Sequence, residues 1–381
     1  MRRLLVAIVV VAAVVAAGLA VAGNQSTNNK TFEYSVGLWG DFPYSDVQAQ
    51  TGVPNLIADM NSSDIAFSVH DGDLKAGKGT PGSVTPTTCS DALYTQALGF
   101  FNSLKQPAIF TPGDNDWTDC DRNENNNFND LERLQHERQV FFSTNQSLGQ
   151  KTMTLEVQSD PVHDLCLGRN TPAGPNISTP CVENRRWTFH KVTYATLNVQ
   201  GTCNNRCSSG AGDPAGDEAE YQAREVADEA WLNQTFDEAE ADGSAAVMIV
   251  WQADPGFDES GFQSGPKRNP RTLVEDLAAD GNAADGFHDI LNVLRNRTIE
   301  FKKPVVLVHG DSHYFMIDKP LMDSSGRVVE NFTRVETFGD HQENGTNGVH
   351  WVKALVDPQS RDVFAFQAQI VPANRTAVPA P

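Results

Sequence analysis

The chain reads as an α/β protein built on a largely parallel sheet, and three observations predict it. Apolar, strand-like stretches recur and each runs into Gly and Asp: "TFEYSVGLWGD" ends at Asp41, "DIAFSVHDGDL" carries Asp73, and "PAIFTPGDND" ends at Asn115 and Asp116. Between the last two, Ala92, Leu93, Ala97, Leu98, Phe101 and Leu104 recur at helical spacing behind Ser90, a candidate N-cap. Farther on, "AAVMIVWQADP" and "PVVLVHGDSHYF" repeat the theme of a strand running into acids. Strands alternating with helices form βαβ units, whose ligands lie at the carboxyl ends of the strands. Those are the ends where the acids stand.

The remaining elements follow in order. Residues 130–142, "DLERLQHERQVFF", have a helical pattern; residues 159–183, rich in Pro, Asn, Gly and Cys, read as a disulfide-held surface insertion. "RWTFHKVTYATLNV" alternates and is rich in β-formers, which predicts a strand. A long acidic helix is expected over 218–239, with Trp231, Leu232 and Phe236 on its inner face, then a Gly/Pro-rich loop over 255–270 and a helix over 284–295. Three tail strands, "RVETF", "VHWVKALV" and "VFAFQAQIV", precede a Pro/Ala end, 373–381, expected to fray. No linker divides residues 31–372, so one domain is expected.

The first 22 residues stand apart. Arg2 and Arg3 precede an unbroken apolar and small-residue run from Leu4 to Ala22, and Ala20-Val21-Ala22 offers a cleavage site. At about 20 residues the run is also long enough to span a bilayer. A removable signal peptide and a membrane anchor both place the bulk of the chain outside the cytosol. The six cysteines, Cys89, Cys120, Cys166, Cys181, Cys203 and Cys207, are even in number and lack C-x-x-C pairs, which suits disulfides in an exported chain; free core thiols are the alternative. Spacing alone suggests Cys89 with Cys120, Cys166 with Cys181 and Cys203 with Cys207. Glycosylation sequons begin at Asn24, Asn29, Asn61, Asn145, Asn176, Asn233, Asn296, Asn331, Asn344 and Asn374, against about three or four expected by chance for such a motif. A net charge of −20 repels a phosphate backbone, so no nucleic-acid partner is expected.

The chemistry concentrates at the strand ends. If extension continues through "VHGDSHYF", His309, Asp311 and His313 share one face, three donor side chains where a cation could sit. A structural role for each histidine is the plainer reading. The ordered series Asp41 in "GLWGDFPY", Asp73 in "HDGDLK", Asn115 in "TPGDND" and His313 in "GDSH" resembles the successive metal-binding motifs of the calcineurin-like metallophosphoesterases: D-x-H, GD, GDN followed by His or an acid, an isolated His, then GH-x-H.

That resemblance implies a four-layer α/β sandwich with two metal ions at the carboxyl ends of the strands. By its pattern Asp41 and His313 would hold the first metal, Asp73 would bridge, and Asn115 would bind the second. The departures are specific. Pro43 stands where the family has His, Gln252 takes the place of the isolated His, and Asp311 that of the first His of GH-x-H. The expected ligand set is then Asp41, Asp73, Asn115, Gln252, Asp311, His313 and, in support, His309. So oxygen-rich a set suits Mg, Mn, Ca or Fe rather than Zn, as one ion or two. Asp116 is a candidate general acid, or else a turn residue; Lys75 and Arg122 could meet a bound phosphate, or else be surface charges. His70 could orient a ligand, while His341 and His350 fall in or after a loop near the site.

The function the resemblance implies, with the leader, is that of an exported metal-dependent phosphoesterase acting on a phosphorylated small molecule or lipid head group. The alternative is a non-catalytic, glycosylated extracellular binding or structural protein that keeps the fold.

Overall fold

In a computed structural model of the chain, described over residues 33–159, 165–208, 213–257, 267–280, 282–340 and 348–375, two β-sheets stack face to face with helices on both outer surfaces. The leader, with Asn24 and Asn29, lies outside the described residues, as do His341 and Asn344.

The strands are β1 (Tyr34–Trp39), β2 (Phe67–His70), β3 (Ala108–Phe110), β4 (Glu156–Val157), β5 (Leu165–Gly168), β6 (Ile177–Pro180), β7 (Arg185–Phe189), β8 (Val192–Thr196), β9 (Ala246–Val250), β10 (Val305–His309), β11 (Met316–Asp318), β12 (Phe332–Glu336), β13 (Trp351–Val356) and β14 (Phe364–Gln369). The main helices are α1 (Val53–Ser62), α2 (Asp91–Phe101), α3 (Asp130–Phe141), α4 (Glu218–Ala241) and α5 (His288–Phe301). One sheet runs β14-β13-β1-β2-β3 and the other β11-β12-β10-β9-β8-β7-β4. β1, β2 and β3 are parallel, as are β8, β9, β10 and β12. All the parallel strands therefore deliver their carboxyl ends to one edge of the stack.

Side-chain alternation divides the core into three layers. Val36, Leu38, Phe67 and Val69 of the first sheet meet Met248, Val250, Val306 and Val308 of the second between the sheets. Trp39 turns outward to α1 and α2 with Leu56, Leu93 and Phe101, while Val247 and Ile249 turn outward to α4 and α5 with Trp231, Leu232 and Leu291. Helix, sheet, sheet and helix make four layers, the α/β sandwich that the sequence led one to expect.

Several elements differ from the sequence reading. "RWTFHKVTYATLNV" is two strands, β7 and β8, because His190 and Lys191 turn the chain at φ 45° and 64°. A two-residue hairpin turn of type I′ needs positive φ at both positions, which Asn-Gly usually provides. His-Lys carries no such signal. The insertion at 159–183 holds the β5–β6 hairpin, closed by Cys166–Cys181; residues 160–164 are outside the described set. Helix α5 begins and ends later than expected, and α1, with a proline in its first turn, was not anticipated. Ser90 does precede α2 in extended conformation, yet its side chain makes no cap bond. Asn374 donates through its buried amide to Gly52 O and Val349 O, and residues 376–381 of the expected frayed tail lie outside the described residues.

All six cysteines pair as the spacing suggested: Cys89–Cys120, Cys166–Cys181 and Cys203–Cys207. Among the described residues no helix is long and apolar enough to cross a membrane.

Candidate metal centre and active site

Strand β1 ends at Trp39 and β2 at His70, and the chain then bends sharply enough to place Asp41 and Asp73 at φ 56° and 65°. Asp311 and His313, after β10, lie at 75° and 64°. Left-handed backbone at four non-glycine positions of one cleft is strain held in place by the surrounding structure, and Asp is among the residues that tolerate it best. Two glycines make the close approach feasible. A Cβ on Gly310 would sit 2.0 Å from Asp41 Oδ2, and one on Gly113 would sit 2.1 Å from Asp73 Oδ1. Each Gly of a Gly-Asp pair thus seats the carboxylate of another strand's loop.

Asp41, Asp73 and His313 converge, with one donor atom from each lying within 4.8 Å of the others. His313 Nε2 is 3.7 Å from Asp41 Oδ1. Both aspartates are buried. Burial, then repulsion from Asp71 and Asp311, pushes the Asp41 carboxyl well above the usual range; burial, then Asp114 and Asp41, does the same to Asp73. Two buried carboxyls this close must hold protons or a cation. Two oxygens and an imidazole nitrogen in one cluster fit a single hard or borderline divalent ion.

The other expected ligands lie around these three. Asn115 donates through Nδ2 to Asp73 Oδ2 at 2.7 Å, and Gln252 Nε2 donates to the same oxygen at 3.3 Å. Gln252 Oε1 meanwhile accepts the Gly201 N–H at 2.6 Å. Both amides therefore turn nitrogen, a donor, towards the carboxylate where the second metal was expected. Asp311 accepts the Asp254 N–H and lies on the rim beside Gly201. His309 is fully buried at the end of β10, its Nδ1 beside Gly310 O. The shared face of His309, Asp311 and His313 does not form, because extension stops at His309 and positive φ turns the two later residues away.

Asp116 faces backbone. Its carboxylate accepts from the N–H groups of Asp73, Gly113 and Leu74 at 2.9, 2.7 and 2.6 Å, lacing two site loops together. Burial lifts its pKa to about 6 against those three bonds. Of the two readings offered by sequence, this geometry favours the turn residue over the general acid.

Lys75 is 1% exposed, which removes the surface-charge reading. Burial pulls its ammonium down to about 8, while Asp119, Asp116 and Asp73 hold it up. Arg122 pairs with buried Asp119 at 2.5 Å. A Cβ on Gly77 would lie 2.4 Å from Arg122 Nη1 and 2.9 Å from Asn115 Oδ1, so the guanidinium sits beside the Asn115 carbonyl. Arg122 thus lies near the Asn115 side chain, and Lys75 is within electrostatic reach of Asp73, Asp116 and Asp119.

His70 packs edge-on against Trp39 and Phe101, and burial depresses its pKa to about 3. Its Nδ1 accepts the Gly72 N–H, so it shapes the turn before Asp73 as a neutral ring. His350 packs against Phe338.

Sequence reading missed several residues of the site. Tyr44, next to Pro43, donates to Asp73 Oδ2 at 2.7 Å. Asp71 accepts from the Thr337 hydroxyl, and burial lifts its carboxyl to about 7. Thr202 bonds Asp114 Oδ2 at 2.9 Å from a left-handed turn in which Thr202, Cys203, Asn204 and Asn205 all have φ between 52° and 67°. Cys203–Cys207 closes that turn, and buried Arg224 braces it through Asn204 Oδ1 and O. A turn built from four left-handed non-glycine residues has no sequence signature. Beside it opens a cavity of about 200 Å³ lined by Thr202, Asp254, Lys267, Asn282, Asp311 and Ser312.

No family model matches the chain, and no curated protein does. Solved structures similar to it include that of PhoD, with 14% identity over 85% of this chain and a TM-score of 0.46. The 5'-nucleotidase of Candida albicans SC5314 has 10% identity over 88% of this chain and a TM-score of 0.37. GAP50, described as the anchor in the inner membrane complex of Plasmodium, has 9% identity over 88% of both chains and a TM-score of 0.39. The chain spans 64% of the PhoD chain and 50% of that nucleotidase, under two thirds of their length. What the cleft does has to be read from its own side chains.

Proposed function

We propose that the cleft hydrolyses a phosphate ester with one cation held by Asp41, Asp73 and His313. The observation that carries this reading is the convergence of those three donors, two of them buried acids, near a buried lysine and a partly buried arginine. A cation bound there would supply a Lewis acid for a phosphoryl oxygen and a water of lowered pKa.

The chain's own groups account for the rest. Lys75, with a pKa of about 8, is mostly an ammonium at neutral pH. With Arg122 it sets fixed positive charge where negative charge grows on the phosphoryl oxygens, and a preorganised charge in a dry site needs no reorganisation at the moment of reaction. Tyr44, Asn115 and Gln252 each donate to Asp73 Oδ2 and so fix the orientation of its carboxylate. The cavity beyond Asp311, with Lys267 and Asn282 on its wall, lies where the remainder of a phosphorylated small molecule or lipid head group could rest. The hydrophobic leader, the paired cysteines and the sequons support an exported glycoprotein, secreted or anchored.

A second reading has its own observation. Pro43, Gln252 and Asp311 replace three family histidines, and amide nitrogens occupy the second-metal side, which favours a non-catalytic binding or structural protein. One experiment separates the two. The purified glycoprotein is assayed for metal by elemental analysis and for turnover over a panel of phosphate mono- and diesters, beside Asp73→Asn. Near-stoichiometric metal with turnover, both lost in the variant, supports the phosphoesterase. Metal without turnover on any ester favours the second reading.

A further inference from the structure

We propose that Cys203–Cys207 is a thiol-exchange site, through which a small dithiol unlatches one wall of the cleft. The three disulfides differ in access. Cys89, Cys120, Cys166 and Cys181 are 0% exposed, whereas Cys203 and Cys207 are 4% and 8% exposed. Cys203 also lines the cavity of about 200 Å³, together with Gly201 and Thr202. Exchange requires a thiolate to reach a disulfide sulfur, so access ranks this pair ahead of the other two.

The bond closes a turn that its residues do not favour. Thr202, Cys203, Asn204 and Asn205 all lie in the left-handed region, with φ from 52° to 67°, and of these types only Asn visits it with any ease. The two halves of the turn are held differently. Asn204 accepts from Arg224 Nη1 at 2.6 Å and donates to Gly286 O at 3.1 Å, and Asn205 donates to Glu220 Oε2 at 2.8 Å. The half next to the cleft has the Thr202 hydroxyl on Asp114 Oδ2 at 2.9 Å and the Gly201 N–H on Gln252 Oε1 at 2.6 Å. Once the cross-link opens, no covalent bond keeps Thr202 and Cys203 left-handed, and the half next to the cleft relaxes.

A thiolate entering the cavity attacks Cys203 Sγ and expels the Cys207 thiolate, leaving a mixed disulfide. The second thiol of the same molecule then displaces Cys203. The protein gains two electrons and two protons as a pair of thiols, and the reagent departs as a cyclic disulfide. As Gly201 shifts, Gln252 loses the bond that keeps its nitrogen turned to Asp73 and Asp114, and the cavity loses the wall made by Thr202.

The test treats the whole purified glycoprotein with dithiothreitol under native conditions, alkylates samples with iodoacetamide and maps the cysteines by peptide mass, with hydrogen exchange followed in parallel. Cys203 and Cys207 are expected to be alkylated on the order of tenfold faster than the other four. Amides of residues 200–207 are expected to exchange roughly tenfold faster after reduction, while β8 and β9 keep their protection, and reoxidation restores them. The double variant Cys203→Ser, Cys207→Ser should exchange like the reduced protein with no dithiol present; if it does not fold, the wild-type comparison decides. Equal alkylation of all three pairs, or unchanged exchange after selective reduction, overturns the proposal. The consequence for the cleft rests on the phosphoesterase reading: an active protein, desalted after reduction, should lose turnover and regain it on oxidation. Turnover unchanged by selective reduction overturns the coupling to the cleft. Turnover absent in both states counts against the phosphoesterase reading and leaves the exchange result to decide the latch.

Discussion

Gln252 points its amide nitrogen at Asp73 Oδ2 across 3.3 Å while its own oxygen accepts the Gly201 N–H at 2.6 Å. The same nitrogen reaches Asp114 Oδ1 at 3.2 Å, so one neutral donor separates two carboxylates. Gln252→Glu replaces that donor with a third acid. Without a cation the variant should lose about 1–3 kcal/mol by urea titration, the cost of leaving buried acceptors unpaired. With Mn²⁺ it should gain more in melting temperature than the wild type does.

Asp73→Asn tests the cluster from the other side. In the absence of a cation burial and its acidic neighbours keep the Asp73 carboxyl protonated up to a pH well above the usual range, and Asn mimics the neutral form at a left-handed position it tolerates. The variant should fold with an unchanged or higher melting temperature at pH 8. It should take up no metal, as elemental analysis would show.

Stability without cation should fall as pH rises. Burial lifts Asp116 to about 6, Asp71 to about 7 and Asp228 to about 8 in the folded chain. In the unfolded chain an Asp titrates near ~3.9, so the folded state binds more protons between those limits. Each group's contribution is complete below about pH 4 and is lost as pH rises through its folded value, at about 1.4 kcal/mol per pH unit. Cation affinity has the opposite trend, since Asp41 and Asp73 must release protons to bind. Melting curves from pH 5 to 8, with and without Mn²⁺, should therefore diverge.

Arg224 should be among the costliest single residues to lose. Fully buried in α4, it donates to Asn198 O, Asn204 Oδ1, Asn204 O and Glu220. Arg224→Met leaves Glu220 and Asp228 buried without their cation, which costs roughly 3–5 kcal/mol. Denaturant unfolding would show it, and near-ultraviolet dichroism would report loosening of the turn at Thr202.

The sequons should not be used equally. Asn331 donates its amide to Thr298 O and Lys303 O at 2.8 and 2.9 Å, a nitrogen a glycan would occupy, whereas Asn296 is exposed on α5. Asn145 and Asn176 are exposed too, Asn61 and Asn233 half-buried. Peptide mass mapping from a glycosylating host should find Asn296 modified and Asn331 bare.

Much of this architecture was legible because period and burial are local. The runs into Asp41, Asp73, Asn115 and Gln252 are strand, bend and polar side chain in the chain itself, and the cysteine pairs followed from spacing. What escaped notice depends on backbone turns that the residues do not announce. His190-Lys191 turns a hairpin without glycine, and Asp311 and His313 leave extension, so counting by twos past His309 fails. Tyr44 was hidden for another reason. Its partner His313 is 269 positions away, and a tyrosine beside a proline reads as ordinary loop.

The placement of β13 has a consequence for biogenesis. That strand pairs antiparallel with β1, setting Tyr34 opposite Val356, so the strand leading to Asp41 acquires its neighbour on that side only after roughly 320 further residues have been made. During vectorial synthesis the first acidic loop follows an open edge whose backbone N–H and C=O groups have no partner strand. A folding helper would meet that edge until residues 351–356 emerge. Fragments carrying every motif from Asp41 to His313 but ending before Trp351 should aggregate rather than bind an ion.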